Sequence, residues 1–154
     1  MSAPSIDTGG AEDFLIFYIG SVLYTVPACN IRAELDLPGP GEPWPGSELF
    51  YGGDAFPVVD PRRLFQVESP PPLRRSVVLQ SVAGRHSALV VDRIFGRVPI
   101  DARRFQPIPW HFGGREQLWF GGTLALDDHR PLVLLRSRGL AASCRAAEAD
   151  PSIP

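Results

Sequence analysis

Catalysis needs polar side chains that converge, and this sequence supplies few at useful spacing. Its three histidines, His86, His111 and His129, are scattered. No two stand at ligand spacing, and no carboxylate joins one in the pattern of a zinc-binding helix. Its two cysteines, Cys29 and Cys144, are far apart in sequence, so they make neither a zinc knuckle nor a disulfide framework. They read as reduced thiols. Cys29 would be a nucleophile only if a distant histidine approached it. No G-x-S-x-G elbow occurs. Pro38-Gly39-Pro40-Gly41 lacks amides at its prolines and opens no helix. Gly113-Gly114 and Gly121-Gly122 lead into strands, so none of these segments cradles phosphate. The expectation is a chain with no catalytic residue, no metal and no cofactor.

Charge gives a second set of candidates. All fifteen basic residues are arginine, and doublets occur at Arg62-Arg63, Arg74-Arg75 and Arg103-Arg104. On an OB-like barrel such doublets would mark a surface for single-stranded nucleic acid. Aromatic residues do not alternate with them, however, and the net charge is −2. Solvated rims and ion pairs are the simpler reading. Asp92 ends the run Ala88-Leu89-Val90-Val91-Asp92, either as a strand-end carboxylate or as part of a binding rim. A binding module is therefore the working class. The OB-like nucleic-acid binder is its alternative, and a small-ligand or enzymatic barrel comes third.

The elements that must carry these residues are short strands. The chain has 154 residues, enough for one ordinary domain or two small subdomains with a shared core. Seventeen prolines and fifteen glycines leave little room for long helices. Residues 14–19 (FLIFYI) and 22–26 (VLYTV) predict a hairpin turned by Gly20-Ser21. The first strand is apolar on both faces and must be covered on both sides. Residues 31–35 (IRAEL) alternate and predict a half-exposed strand. Residues 37–47 are a proline-rich loop in which Trp44 plugs the core. A strand pair over 49–51 and 55–59 follows. Asp60 then caps a short helix begun by Pro61.

Residues 68–73, proline-rich, predict a stiff linker where two barrel subdomains meet. Further strands are expected over 76–82, 86–92, 94–100, 118–126 and 132–135. Asp101 is expected to cap a turn, and residues 137–149 to form a terminal helix. Residues 1–12 are small, polar and acidic and predict a flexible tail. They lack the basic start and apolar block of a secretion signal. No apolar run reaches bilayer-spanning length, which predicts a cytoplasmic protein without direct membrane insertion. The expected class is all-β: about ten short strands in two five-stranded barrels.

Several segments, in order, resemble the CheW family of chemotaxis coupling proteins. The opening FLIFYIGSVLYTVP resembles that family's first hairpin. Residues 31–35 resemble its V-x-E-[IV] strand, with Glu34 at the acidic position. Residues 55–65 (AFPVVDPRRLF) come close to its I-x-P-V-[IV]-D-L-R-x-L-F signature. Residues 77–82 followed by 89–94 resemble its paired strands ending in V-D-x-V, and residues 118–135 its closing element. The resemblance covers residues 13–140, leaving a C-terminal helix or tail over 141–154.

The resemblance implies two SH3-like five-stranded β-barrels and a non-catalytic adaptor of a signalling system. Its implied partners are the cytoplasmic tip of a chemoreceptor (a methyl-accepting chemotaxis protein) and the regulatory domain of a CheA-type histidine kinase, in cytoplasmic receptor arrays. It implies no nucleic-acid partner. The kinase is expected on the outer strands of the first barrel, near Ile31, Arg32, Glu34, Leu35 and Ser47. The receptor is expected in the groove between barrels, near Gly52, Phe56, Val90, Val91 and Asp92. Two departures stand out. The family's N-L-R-G segment is Phe50-Tyr51-Gly52-Gly53 here, so Gly52 takes the place of an arginine linked to receptor coupling. Arg32 stands where the family is apolar, and a charge there needs a matching partner. Together they imply a divergent coupler with one contact weakened or lost.

Overall fold

The computed structural model describes residues 11–37, 48–108, 116–126, 130–136 and 140. The chain begins with β1 (Ala11–Ile19), β2 (Val22–Pro27), a 3₁₀ turn over Ala28–Asn30, and β3 (Ile31–Asp36). Next come β4 (Glu48–Tyr51), β5 (Asp54–Val59) and α1 (Pro61–Leu64). β6 (Ser76–Val82), β7 (Arg85–Val91), β8 (Arg93–Asp101) and a 3₁₀ turn at Ala102–Arg104 follow. α2 (Glu116–Trp119), β9 (Phe120–Ala125) and β10 (Pro131–Leu135) complete the described elements. β1 starts earlier than the sequence predicts: Ala11 and Glu12, expected in the tail, pair with Asp101 and Ile100.

The ten strands form two five-stranded sheets, ordered β8-β1-β2-β10-β9 and β3-β6-β7-β5-β4. Each contains one parallel pair, β2 with β10 and β5 with β7. The sheets are not divided in sequence at the proline linker. β3 to β7 make the second sheet as an insertion between β2 and β8, and residues 68–73 run between two strands of that same sheet. Within the linker, the carbonyls of Ser69 and Pro70 accept hydrogen bonds from Arg62. The expectation that β3 belongs to the first barrel is also corrected: it is an edge strand of the second.

Turn chemistry fixes the hairpins. Gly20 (φ 64) opens the β1–β2 turn, and Gly52 and Gly53 (φ 60 and 86) make the β4–β5 turn. Both central residues of the latter need positive φ, as in the type I′ turn that matches strand twist. One predicted strand is wrong at its start. Leu118 and Trp119 end α2, and β9 begins only at Phe120. A short apolar run has no periodicity that separates strand from helix.

Strand alternation builds three cores. Phe14 and Ile16 of β1 pack with Leu23, Ile100, Leu124 and Leu132 inside the first sheet. Phe56, Val77, Leu79 and Ala88 fill the second. The other face of β1, Leu15, Phe17 and Ile19, meets Val59, Val78, Leu89 and Val91 from the second sheet. This shared layer explains why β1 is apolar on both faces.

Caps close the connections. Asp60 accepts the Arg62 amide at 3.1 Å at the start of α1. Asp101 accepts the Arg103 amide at 2.9 Å and binds its guanidinium at 2.8 Å. The Arg103 guanidinium, followed by its amide, holds the Asp101 carboxyl at a pKa of about 2, below its ordinary 3.8. A depressed folded-state pKa means that this cap helps the fold above the ordinary value and is lost as pH falls through about 2. A carboxyl-carbon NMR titration is expected to show Asp101 ionised throughout pH 3–7. Arg103→Ala is expected to move its midpoint up toward 3.8; an unmoved midpoint would remove Arg103 as the cause.

Candidate functional site

The outward face of β3 carries Arg32, Glu34 and Asp36, and its inward face carries Ile31, Ala33 and Leu35. The alternation predicted from the sequence is therefore present, but it splits the four β3 candidates. Arg32 and Glu34 face solvent, while Ile31 packs on the shared core and Leu35 on the interior of the second sheet. Ser47 lies outside the described residues, as do Trp44, His111, His129, Cys144 and, apart from Leu140, the segment expected as a terminal helix. Glu34 bonds Arg97 at 2.8 Å, which ties β3 to β8 across the two sheets.

Arg32 finds the partner that its charge requires. Its Nη1 and Nη2 both lie 3.5 Å from Asp54 Oδ2, and Nη1 also lies 3.5 Å from Ser81 Oγ. His86 Nδ1 shares a 2.6 Å hydrogen bond with that hydroxyl, and His86 Nε2 is 3.9 Å from Asp54. The guanidinium stands 5.7 Å from the ring centroid of Phe56, against which His86 also packs at 4.7 Å. Gly52 belongs to the same cluster: a Cβ there would lie 3.8 Å from Arg32 Nη2. The two departures singled out in the sequence are thus neighbours in space. Asp54, Ser81 and His86 were not foreseen as parts of this cluster, because their pairing joins three separate strands.

The groove candidates divide differently. Gly52 is exposed, but Phe56, Val90 and Val91 are buried core residues. Alternation on β7 accounts for this: Ala88 fills the second sheet while Leu89 and Val91 enter the shared layer. These side chains do not present a surface. Phe56 and Gly52 lie toward the His86 end of β7, away from Asp92.

Asp92 is the centre of the junction between sheets. Its Oδ1 accepts Arg62 Nε at 2.7 Å, and its Oδ2 accepts Arg62 Nη2 at 2.6 Å and the Gly20 amide at 2.7 Å. Both side chains are nearly sequestered, at 9% and 6% exposure. Hydrogen bonding to Asp92 raises the Arg62 pKa against the opposing effect of burial. Arg62 further donates to the carbonyls of Ser69 and Pro70. One ion pair therefore joins the β1–β2 turn, α1, the proline linker and the β7–β8 crossover.

Beside it, Phe65 packs on Tyr24, Trp119 and Phe120 at centroid distances of 5.3–5.5 Å. Burial pushes the Tyr24 phenol up. The Arg62 side of this arrangement has no local sequence signal, since its partner is thirty positions away.

A cavity of 310 Å³ opens at this junction, lined by Asp36, Leu37, Arg74, Arg75, Asp92 and Arg93. A larger depression of 660 Å³ lies on the first sheet, where Arg103, bonded to Asp101, and Arg104 line it with Gln106, Thr123 and Leu124. Neither brings together a nucleophile and a base. Among the described residues, no group of three or more His, Cys, Asp or Glu is placed to hold a metal. Among them, too, no helix is long and apolar enough to cross a membrane.

Comparison with known proteins follows the same lines. Residues 13–144 match the family described as CheW-like domain. A search of the curated proteins gave no match. Among solved structures, the chain is similar to the scaffolding protein TtCheW from Thermoanaerobacter tengcongensis, with a TM-score of 0.66 at 16% identity. That match covers 81% of this chain and 88% of the other. The two five-stranded sheets are thus SH3-like barrels of the CheW type.

Proposed function

The chain belongs to the CheW-like domain family, and from that premise we propose that it is a non-catalytic adaptor of a bacterial chemosensory system. In this reading it joins the cytoplasmic tip of a chemoreceptor to the regulatory domain of a CheA-type histidine kinase, in the cytoplasm at receptor arrays. The observation that carries the proposal is the family match, which runs through both barrels. The described surfaces, with their ion pairs and open depressions, suit a binding role.

The kinase-facing surface is proposed on β3, through Arg32 and Glu34 directly, with Ser47 kept as a candidate outside the described residues. Ile31 and Leu35 would act by setting the strand from beneath. The receptor-facing groove is proposed at the barrel junction. There Asp92 would shape the wall, and Phe56, Val90 and Val91 would hold the strands that form it. Gly52, beside Arg32 and away from Asp92, would mark the weakened contact, since glycine offers no forked donor.

Calorimetric titration against a receptor-tip fragment and, separately, a kinase regulatory domain tests the proposal. Saturable binding to at least one is expected, and binding to neither sinks it. Arg32→Val is expected to strengthen kinase binding by replacing a charge with an apolar contact. The half-exposed Asp54 that it leaves behind costs little. Unchanged affinity would remove Arg32 from the account of the weakened contact.

A further inference from the structure

The junction cavity is more cationic than the protein around it. The chain carries a net charge of −2, yet Arg74, Arg75 and Arg93 enter the cavity walls against Asp36 and Asp92. Asp92 is already saturated by Arg62 and the Gly20 amide. Arg75 reaches Asp60 at 3.3 Å. The cationic surface continues beyond the cavity. Arg93 lies 4.6 Å over the ring of Tyr18, whose hydroxyl receives a 3.1 Å hydrogen bond from Arg130. Phe95 meets Tyr18 edge-on at 6.5 Å and stays 54% exposed. Leu73, next to Arg74 in sequence, is 76% exposed.

We propose that the surface formed by Arg74, Arg93, Phe95 and Arg130 docks an acidic polypeptide segment with at least two carboxylates and one large apolar side chain. The proposal rests on the adaptor reading and adds the chemistry of one partner. Charge complementarity sets the sign, because guanidinium forks match carboxylates in geometry as well as charge. Phe95 sets the apolar requirement, since large exposed apolar groups beside polar rims are where partners bury area. A single-stranded nucleic acid fits less well. Successive bases need successive open rings, and the Tyr18 face is already covered by Arg93.

The test uses the full chain and a labelled synthetic helical peptide with glutamates at i and i+4 and a leucine beside them, read by fluorescence anisotropy. A second peptide carries glutamine for each glutamate. The expected result is at least tenfold weaker binding of the glutamine peptide. At least tenfold loss is also expected for the Arg74→Glu/Arg93→Glu double variant. Arg85→Glu, at the opposite end of β7, is expected to stay within twofold. All these side chains are exposed, and a milder Arg74→Gln/Arg93→Gln variant, expected to show a smaller loss, guards against misfolding by charge reversal.

Equal affinity for the two peptides, equal loss in Arg85→Glu, absence of saturable binding, or tighter binding of an oligo-dT strand would each overturn the proposal. Titrations against the receptor tip and the kinase domain separate the two levels. If wild type binds either partner and the double variant binds it equally, the acidic-segment proposal fails and the adaptor reading stands. If wild type binds neither, the adaptor reading fails by itself.

Discussion

Asp92→Asn is expected to destabilise the protein by about 3–5 kcal/mol, the usual cost of leaving one member of a buried ion pair without its counter-charge. Asparagine keeps the volume and one acceptor oxygen, but its amide nitrogen faces a donor of Arg62 or Gly20, so the loss combines the missing charge with a missing hydrogen bond. Arg62 is then left 9% exposed, with the neutral carbonyls of Ser69 and Pro70 as its acceptors among the described residues beyond the altered position. At this chain length, 1 kcal/mol moves Tm by roughly 2–4 °C, so a fall on the order of 10 °C is expected in a thermal melt. Total stabilities are only about 5–15 kcal/mol, which makes this a large fraction. An Arg62→Met/Asp92→Leu double variant is expected to recover most of the loss, because removing both charges removes the unpaired one. A single-variant loss below about 1 kcal/mol would show that the pair does not hold the junction.

Phe17→Ala carries the second large expected effect. Phe17 is fully buried in the layer shared by the two sheets. Truncating such a side chain costs about 3–5 kcal/mol through lost burial and the cavity left behind. The site of the loss gives the prediction its discriminating power. Phe17 faces Val59, Val78, Leu89 and Val91 as well as its own sheet, so hydrogen exchange is expected to quicken in β2 and β7 alike. Phe56→Ala, which empties only the interior of the second sheet, is expected to expose β6 and β7 amides first. Full protection of either sheet in Phe17→Ala would refute a common core.

The local elements were legible because their causes are local. Gly20-Ser21 between two β-branched runs gave the first hairpin, Asp60-Pro61 gave a capped helix, and Asp101 gave a capped turn. The two-sided apolarity of β1 even pointed to a second body against it. The family resemblance was legible too, since its motifs stand in order along the chain. What sequence could not order was pairing over distance. β2 pairs in parallel with β10 from the far end of the chain, and nothing in either strand names the other.

The same limit explains the candidate groove. Val90 and Val91 belong to a recognisable motif, but the motif marks a strand packed on both faces. Asp92 in that motif anchors Arg62. Arg32 is the converse case. Read alone it was a misplaced charge; with Asp54, Ser81 and His86 around it, it caps one end of a barrel.

The nesting of one barrel within the other has a consequence for synthesis. The β1–β2 hairpin leaves the ribosome with both faces apolar, and β8, its neighbour on one side, follows only after about 65 further residues. At roughly 5–20 residues per second, that hairpin waits on the order of 3–13 s for its edge to be covered. During that interval β3 to β7 can complete their own barrel and offer the shared layer as shelter. The order of synthesis thus makes the inserted barrel available to cover one face of the hairpin before β8 and β10 arrive.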